Sequence, residues 1–305
     1  MTVRAILTPW QEDAFREVCG VAGAVEAHFH GWSKRVILTA DRVFLFPRDH
    51  TKVQNLEREA AALEALGTCA HVPRLIARHR DDRISPYPFL ELARVAGSPF
   101  YEEVYEAAEL RVVLDLMEQL GSAIAEWHER SKGDLAPLLR TAFPRPQGIL
   151  ERALHEDPAQ LATEAAARLD LPANPRWIDA IVAVQSLSPV LTHGDVHGEQ
   201  LMADSGTLTG IIDWETAALD NPIRDFNFGE WGLGWYRAHE RDFSALRERL
   251  WTSYAAGRVS LSLPDWRTVH LFFSLVEAWH CAISDREFSI ERRPVALANL
   301  VAAQT

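Results

Sequence analysis

Two acidic residues that follow two short apolar segments constrain this chain more than any other feature. Asp195 follows the apolar start of PVLTHGD, and Asp213 ends LTGIID. Short apolar runs bounded by polar loops are typical of buried strands. If these two strands pair as a hairpin, their loops emerge at the same end, and the two carboxylates converge there.

Two convergent carboxylates beside an amide favour chemistry on a hard cation. Gln200 follows Asp195 by five residues. Mg²⁺ takes oxygen ligands, and a carboxylate beside a metal can act as a general base. The same acids, taken alone, could also be capping or solvated loop residues.

The first third of the chain predicts a small β-rich lobe. Residues 8–19 predict a helix with Thr8 as N-cap and Pro9 in its first turn. Residues 23–47 predict three strands, 53–66 an amphipathic helix, and 71–97 two more strands.

The chain after Gly97 predicts a larger and mainly helical lobe that contains one small strand pair. The fold class is therefore α+β with two lobes, divided into residues 1–92 and 93–305. A cleft between two lobes is a usual place for a ligand.

Charge and cysteine content limit the possible partners. The formal net charge is −12, which argues against nucleic acid and anionic membranes and is compatible with a cationic ligand. The three cysteines are far apart and form no CxxC pair, which favours a reducing compartment. No apolar run approaches the roughly 20 residues of a membrane span. We therefore expect a cytoplasmic protein, as a monomer or a homodimer.

The segments HGDVHGEQL and IIDWE resemble the catalytic and metal segments of the aminoglycoside phosphotransferase and choline kinase-like family. The resemblance implies a protein-kinase-like fold that uses ATP or GTP with Mg²⁺. It makes Asp195 the catalytic base and Asp213 the main Mg²⁺ ligand. Gln200 stands where the family has Asn, and the resemblance implies that it is a second ligand.

Three further segments resemble the nucleotide site of this family. HGWSKRVIL is similar to the phosphate loop, in which Gly31 and Ser33 would let backbone N–H groups approach the phosphates. LEREAAALEAL is similar to the helix whose glutamate, Glu59 here, pairs with a basic residue of the third strand. PFLELARVAG is similar to the linker between the lobes, where backbone groups of Glu91 and Ala93 would bond the adenine edge.

Two other similarities concern support of the catalytic loop. LDNPIRDF resembles the family's Gly-Asp-Pro segment, which implies that Asp225 bonds the backbone of the catalytic loop. AIAEWHER resembles the segment that precedes the catalytic loop, and His128 within it is expected to be structural.

The third strand departs from the family pattern. VFLFPR has Leu45 and Phe46 where the family carries Lys or Arg. Similar strands occur in the branch that resembles viomycin and capreomycin phosphotransferases, where an arginine follows a few residues later. Arg48 is therefore the expected cation, reaching back to the phosphates and Glu59, and Arg35 is a second candidate.

The resemblance implies phosphoryl transfer to a hydroxyl of a small molecule, and the acidic charge favours a cationic antibiotic such as an aminoglycoside or a basic peptide. Candidate acceptor-binding acids are Glu230, Asp265 and Glu277. Two alternatives stay open, namely a kinase of an internal metabolite and a degenerate kinase fold with a regulatory or binding role. Four tryptophans could line an acceptor wall, although core packing is the simpler reading: Trp231, Trp235, Trp266 and Trp279.

Overall fold

A computed structural model describes most of the chain, namely residues 7–28, 33–100, 109–130, 135–145, 148–226, 243–258, 262–285 and 287–304. The N-terminal part contains one five-stranded antiparallel sheet. Its strands are β1 (Glu26–His28), β2 (Lys34–Leu38), β3 (Arg42–Pro47), β4 (Leu75–His79) and β5 (Phe89–Ala93), in the order β1-β2-β3-β5-β4. The five strands predicted from the sequence are thus confirmed.

Two helices cover opposite faces of this sheet. Helix α1 (Pro9–Cys19) begins with the predicted Thr8 cap, and its Phe15 ring lies 4.7 Å from that of Phe44. Helix α2 (Val53–Leu66) shares a buried cluster with Leu45. Because side chains alternate along a strand, Phe44 faces α1 while Leu45 faces α2.

The C-terminal part is mainly helical. The described helices are α3 (Leu110–Arg130), α4 (Pro137–Arg140), α5 (Ile149–His155), α6 (Pro158–Leu169), α7 (Pro175–Gln185), α8 (Phe243–Gly257), α9 (Trp266–Ile283) and α10 (Glu287–Ala303). Helices α3 and α8 approach closely because Gly121 has no side chain. A Cβ atom there would overlap the Leu250 carbonyl group.

Five short strands, all in the C-terminal part, form two small sheets. Strands β6 (Ser98–Pro99), β8 (Leu201–Asp204) and β9 (Thr207–Ile211) form one sheet in the order β6-β8-β9. Strand β7 (Val190–Thr192) pairs with β10 (Ala218–Asp220). The expected hairpin between the strands before Asp195 and Asp213 is therefore wrong, because each strand pairs with a different neighbour.

The α+β class is confirmed, with a small sheet-rich part followed by a larger helical part. Strand β5 ends at Ala93, next to the expected boundary between residues 92 and 93, and that exact division stays a prediction. Within the described ranges, no helix is both long and apolar enough to cross a membrane.

Candidate active site

The loop that carries Asp195 follows β7, and its backbone is held by one buried carboxylate, that of Asp225. Asp225 accepts hydrogen bonds from the backbone N–H groups of His193, at 3.0 Å, and Gly194, at 2.7 Å. Gly194 has φ +85°, a conformation that costs glycine little, and a Cβ atom there would overlap the Arg145 guanidinium. The loop is therefore held by its backbone, as expected for Asp225, and its side chains remain available for chemistry.

Asp225 is itself held by a buried polar network. Trp127 donates its indole N–H to Asp225 at 3.2 Å, and His128 Nε2 lies 3.0 Å from the same carboxylate oxygen. Tyr254 bonds the other ring nitrogen of His128 at 3.0 Å. Burial lowers the pKa of His128. A neutral ring that donates to Asp225 and accepts from Tyr254 satisfies all of these groups.

Asp195 is half-exposed at the mouth of the loop. Its backbone N–H donates to His193 Nδ1 at 3.3 Å, and His193 Nε2 lies 2.9 Å from the Ile212 carbonyl oxygen. The histidine thus connects the two acid-bearing loops. Partial burial raises the pKa of Asp195, and the carboxylate of Asp213 raises it further. A raised pKa suits a group that must take up a proton.

Asp213 begins the loop after β9 in a left-handed conformation, with φ +71° and ψ +60°. A short turn, Trp214–Thr216, follows it. Asp213 Oδ1 accepts a hydrogen bond from Lys34 Nζ at 2.5 Å. Burial works against its charge, but the Lys34 ammonium outweighs that effect and lowers the pKa of Asp213. Asp213 is therefore an ionised oxygen donor.

Gln200 ends the short turn Gly198–Gln200, which lies between the two acid loops in the chain, and it is buried. Its backbone carbonyl accepts from Ile212 N–H at 2.9 Å, which joins the two loops again. Gln200 Oε1 is shielded from solvent and accepts no hydrogen bond from any residue that the structure describes. A buried amide oxygen without a donor costs free energy unless a cation or water satisfies it.

Mg²⁺ fits this donor set. Its ligands in nucleotide sites are one or two carboxylates together with phosphate oxygens, and Asp213 with Gln200 would supply the protein part. In the described ranges no three His, Cys, Asp or Glu side chains converge on a common metal position.

Ser33 lies at the start of β2, and its hydroxyl donates to the Glu215 carboxylate. Gly31, the other residue expected in the phosphate loop, lies outside the described residues. Ser33 thus lies beside the loop from Asp213 to Thr216 (the metal loop), and its hydroxyl already donates to Glu215 of that loop.

The expected ion pair between Arg48 and Glu59 is wrong. Glu59 Oε2 accepts a hydrogen bond from Lys34 Nζ at 2.6 Å, and its other oxygen accepts from Trp214 N–H at 3.3 Å. Arg48 is exposed beyond the end of β3, where its backbone N–H donates to the Ser33 carbonyl at 2.9 Å. The Arg35 guanidinium donates to the Arg48 carbonyl at 3.3 Å.

Both linker residues form hydrogen bonds within the N-terminal part of the chain. The Ala93 N–H donates to the Arg74 carbonyl at 2.9 Å, so this amide is not available to an adenine edge. The Glu91 side chain faces α1 and bonds Arg42 at 2.8 Å and His79 at 2.7 Å. The Glu91 side chain is thus a structural group of the sheet, and an adenine contact through backbone groups near Glu91 and Ala93 stays a prediction.

Helix α2 is attached to the turn after Asp213 by a second residue. Arg58 Nη1 donates to the carbonyl oxygens of Ala217 and Thr141, each at 3.0 Å. Arg58 and Glu59 therefore bond both ends of the Trp214–Thr216 turn.

Comparison with known families decides the identity. A model of the phosphotransferase enzyme family matches residues 25–272. The chain belongs to the phosphotransferase enzyme family. A search of curated proteins finds no match.

Solved structures share the fold of this phosphotransferase. The GDP and kanamycin complex of APH(2″)-IIIa has 18% identity, covers 96% of each chain and gives a TM-score of 0.60. The streptomycin–ATP complex of APH(2″)-IIa has 15% identity, covers 97% of this chain and 96% of the other, and gives 0.53. The macrolide 2′-phosphotransferase MphH from Brachybacterium faecium has 18% identity, covers 96% and 97%, and gives 0.55.

Sequence reasoning missed Lys34, which lies at the centre of the site of this phosphotransferase. Its side chain is 8% exposed and contacts Glu59, Asp213 and, at 3.5 Å, Glu215. The sequence contains one indication of this role. If the strand begins at residue 34, Lys34 shares a face with the apolar Val36. The sequence reading instead assigned residue 34 to the phosphate loop.

The expected acceptor-binding acids have other partners. Asp265 caps α9 by accepting from Thr268 N–H at 2.8 Å. Glu277 bonds Arg292 at 2.6 Å and Arg247 at 3.4 Å. These two acids are structural. Glu230 lies outside the described residues.

Two of the four tryptophans considered for an acceptor wall, Trp266 and Trp279, lie among the described residues and contact other side chains. Trp266 stacks on His270, and Trp279 packs under Arg152. Trp231 and Trp235 lie outside the described residues.

Proposed function

We propose that this phosphotransferase moves the terminal phosphoryl group of ATP or GTP, with Mg²⁺, to a hydroxyl of a small molecule. The observation that carries the proposal is the position of Asp195. Its half-exposed carboxylate stands on a loop fixed by Asp225 and is near enough to Asp213 for that carboxylate to raise its pKa, while Gln200 bonds the backbone of Ile212, the neighbour of Asp213. This arrangement combines a proton acceptor with a place for Mg²⁺ and phosphate.

Asp213 and Gln200 would hold Mg²⁺, which when bound neutralises charge on the donor phosphates. The Lys34 ammonium keeps Asp213 ionised, and burial keeps Gln200 Oε1 free of competing donors. Phosphoryl transfer needs mainly positioning and electrostatic stabilisation from the protein.

Asp195 would orient the acceptor hydroxyl and take its proton. The hydroxyl oxygen forms a bond to the terminal phosphorus as the bond from that phosphorus to the bridging oxygen breaks. The nucleoside diphosphate leaves with the bridging electrons, and the hydroxyl proton passes to Asp195. The raised pKa of Asp195 makes its carboxylate a better proton acceptor at this step.

We propose a cationic acceptor, such as an aminoglycoside or a basic peptide. The net charge of −12 supports this, as does the acidic surrounding of Asp195, which Asp213 and Glu215 provide. Two structural neighbours were solved with the aminoglycosides kanamycin and streptomycin. Because another neighbour is a macrolide phosphotransferase, a neutral macrolide belongs in the same test.

The first experiment measures ATP and GTP binding by calorimetry, with and without Mg²⁺. Turnover is then measured with kanamycin, a basic cyclic peptide, a macrolide and choline as acceptors. We expect Mg²⁺-dependent binding of at least one nucleotide and turnover on kanamycin or the basic cyclic peptide. Failure to bind either nucleotide at millimolar concentration would favour the regulatory alternative, and turnover on choline alone would favour the metabolite alternative.

Asp195→Asn tests the base. We expect it to keep nucleotide binding and to lose turnover by about 10²–10⁴-fold. Asp204→Asn is the matched control, since Asp204 is an exposed acid at the end of β8. Near-normal turnover of Asp195→Asn would rule out its role.

A further inference from the structure

The cation expected on β3 is replaced by an apolar side chain. Leu45 is buried and belongs to the same cluster as Leu56 and Ala60 of α2. Phe46 faces the other way, where its ring stacks on Phe89 at 4.6 Å. Leu45 is therefore the residue of β3 that faces α2 at this level.

Lys34 lies on the same face of the sheet, one strand away. The antiparallel register pairs Val36 with Leu45 and Lys34 with Pro47. Cross-strand partners share a face, and so do residues two positions apart on one strand. Lys34 is thus the diagonal neighbour of Leu45, at a separation of about 7–8 Å that long side chains can span.

The Lys34 ammonium occupies the place where acids from two lobes meet. It lies 2.6 Å from Glu59 on α2, 2.5 Å from Asp213 and 3.5 Å from Glu215. Three carboxylates around one ammonium leave negative charge uncompensated, which a divalent cation arriving with the nucleotide would offset.

We propose that Lys34 is the phosphate-positioning cation of this phosphotransferase, in place of the β3 residue that is Leu45 here. The inference rests on the proposed function, because it needs a nucleotide in the cleft. Lys34 bonds Glu59, whose second oxygen bonds Trp214 N–H, so the ammonium is fixed between α2 and the metal loop. A fixed ammonium at this point can bind phosphate oxygens with little reorganisation.

The position of Lys34 couples it to the phosphate loop. Lys34 directly follows Ser33, whose hydroxyl bonds Glu215 and whose carbonyl accepts from Arg48 N–H. A cation on a central strand would be independent of that loop. Here Lys34 directly adjoins Ser33, so a displacement of the Ser33 backbone also displaces the ammonium.

The test uses nucleotide binding by calorimetry and the slow hydrolysis of the bound nucleotide without acceptor, so that no acceptor need be known. We expect Lys34→Leu to reduce hydrolysis by about 100-fold or more. The double variant with Lys34→Leu and Leu45→Lys returns the cation to β3, and we expect it to recover at least about ten-fold relative to Lys34→Leu.

Arg42→Met is the matched control. It removes a cation from the same sheet and leaves the buried Glu91 without that partner. Arg42 differs from Lys34 in lying on the face of the sheet that α1 covers. We expect hydrolysis within about three-fold of wild type, since no charge near the phosphates changes. Thermal unfolding checks that each variant is folded. If Lys34→Leu does not fold, the double variant with Lys34→Leu and Leu45→Lys is compared with the wild type and with Lys34→Arg. A double variant that folds but no longer binds nucleotide overturns the proposal.

The outcomes separate this inference from the proposed function. Wild-type protein that binds no nucleotide overturns both. Wild-type protein that binds nucleotide, with Lys34→Leu hydrolysing it within about three-fold of normal, overturns the role of Lys34 alone. An equal loss in Arg42→Met, or no recovery in the double variant, also overturns it.

Discussion

Replacing Asp225 by alanine should destabilise the protein more than any substitution of an exposed acid. Asp225 is fully buried and accepts from four donors, namely Trp127, His128 and the backbone N–H groups of His193 and Gly194. Each buried donor that loses its partner costs about 1–3 kcal/mol, and neighbouring effects do not add fully. Four donors at the low end give a loss of about 4 kcal/mol in the free energy of unfolding.

Urea titration followed by tryptophan fluorescence measures this loss. Trp127 and Trp214 are buried with ring centroids 5.2 Å apart, so they report on this part of the core. The midpoint should fall while the denaturant slope stays constant. Asp265→Ala is the control, since loss of an N-cap costs about 1 kcal/mol. A loss no larger than that of the control would refute the reasoning.

The same network makes stability depend on pH. Burial lowers the pKa of His128 from 6.5, so the folded protein keeps a neutral ring while the unfolded chain takes up a proton. Burial opposes the charge of Asp225, but its bond from His128 prevails and lowers the pKa of Asp225 below 3.8. Both groups bind fewer protons when folded, so their contribution to stability falls as pH falls, first below 6.5 through His128 and then below 3.8 through Asp225. Burial raises the pKa of Glu59 to about 7, which acts in the opposite direction between pH 7 and pH 5, so the wild type is compared with His128→Gln. A wild-type urea midpoint that falls no further over this range than that of His128→Gln would contradict the assignment.

Three further predictions follow from the site. Gln200→Leu should raise the Mg²⁺ concentration for half-maximal turnover at least about ten-fold, while Gln200→Asn keeps an amide oxygen and should change it less; identical Mg²⁺ curves would exclude Gln200 as a ligand. Gly194→Ala should lower the free energy of unfolding by about 1–3 kcal/mol, because of its φ of +85° and because the new Cβ atom would overlap Arg145. Gly206→Ala is the control: its φ is +80°, but its new Cβ atom would meet Val112 at 3.3 Å, so the difference between the two variants measures the overlap apart from the backbone strain. Glu277→Gln should lower the urea midpoint and leave the acceptor KM unchanged, since its carboxylate is held by two arginines; an increase in KM would return it to the acceptor site.

Local signals allowed much of the fold to be predicted from the sequence. The Thr8 cap, the helix over 53–66 and the five N-terminal strands each depend on nearby residues, through capping, periodicity and turn residues. The acids at Asp195 and Asp213 were found because polar residues after apolar strands form a pattern within a few positions.

The remaining features depend on which elements meet in three dimensions. The strand before Asp195 is three residues long, too short to specify a partner, and it pairs with β10 instead of the strand before Asp213. Lys34 was missed because its role depends on the register that places it diagonally from Leu45. Glu277 was misread because its two arginines come from other helices.

The attachment of α2 through Arg58 and Glu59 has a consequence for inhibitor design. The two consecutive residues bond opposite ends of one turn, and Arg58 is buried with only carbonyl oxygens as its hydrogen-bond acceptors among the described residues. A compound that displaces α2 outward would have to break both hydrogen bonds of the buried Arg58 guanidinium. It would also have to separate Glu59 from Lys34 and Trp214 at the same time. Compounds that fill the space beside Lys34 without moving α2 avoid that cost, and they are the better starting point for blocking this enzyme.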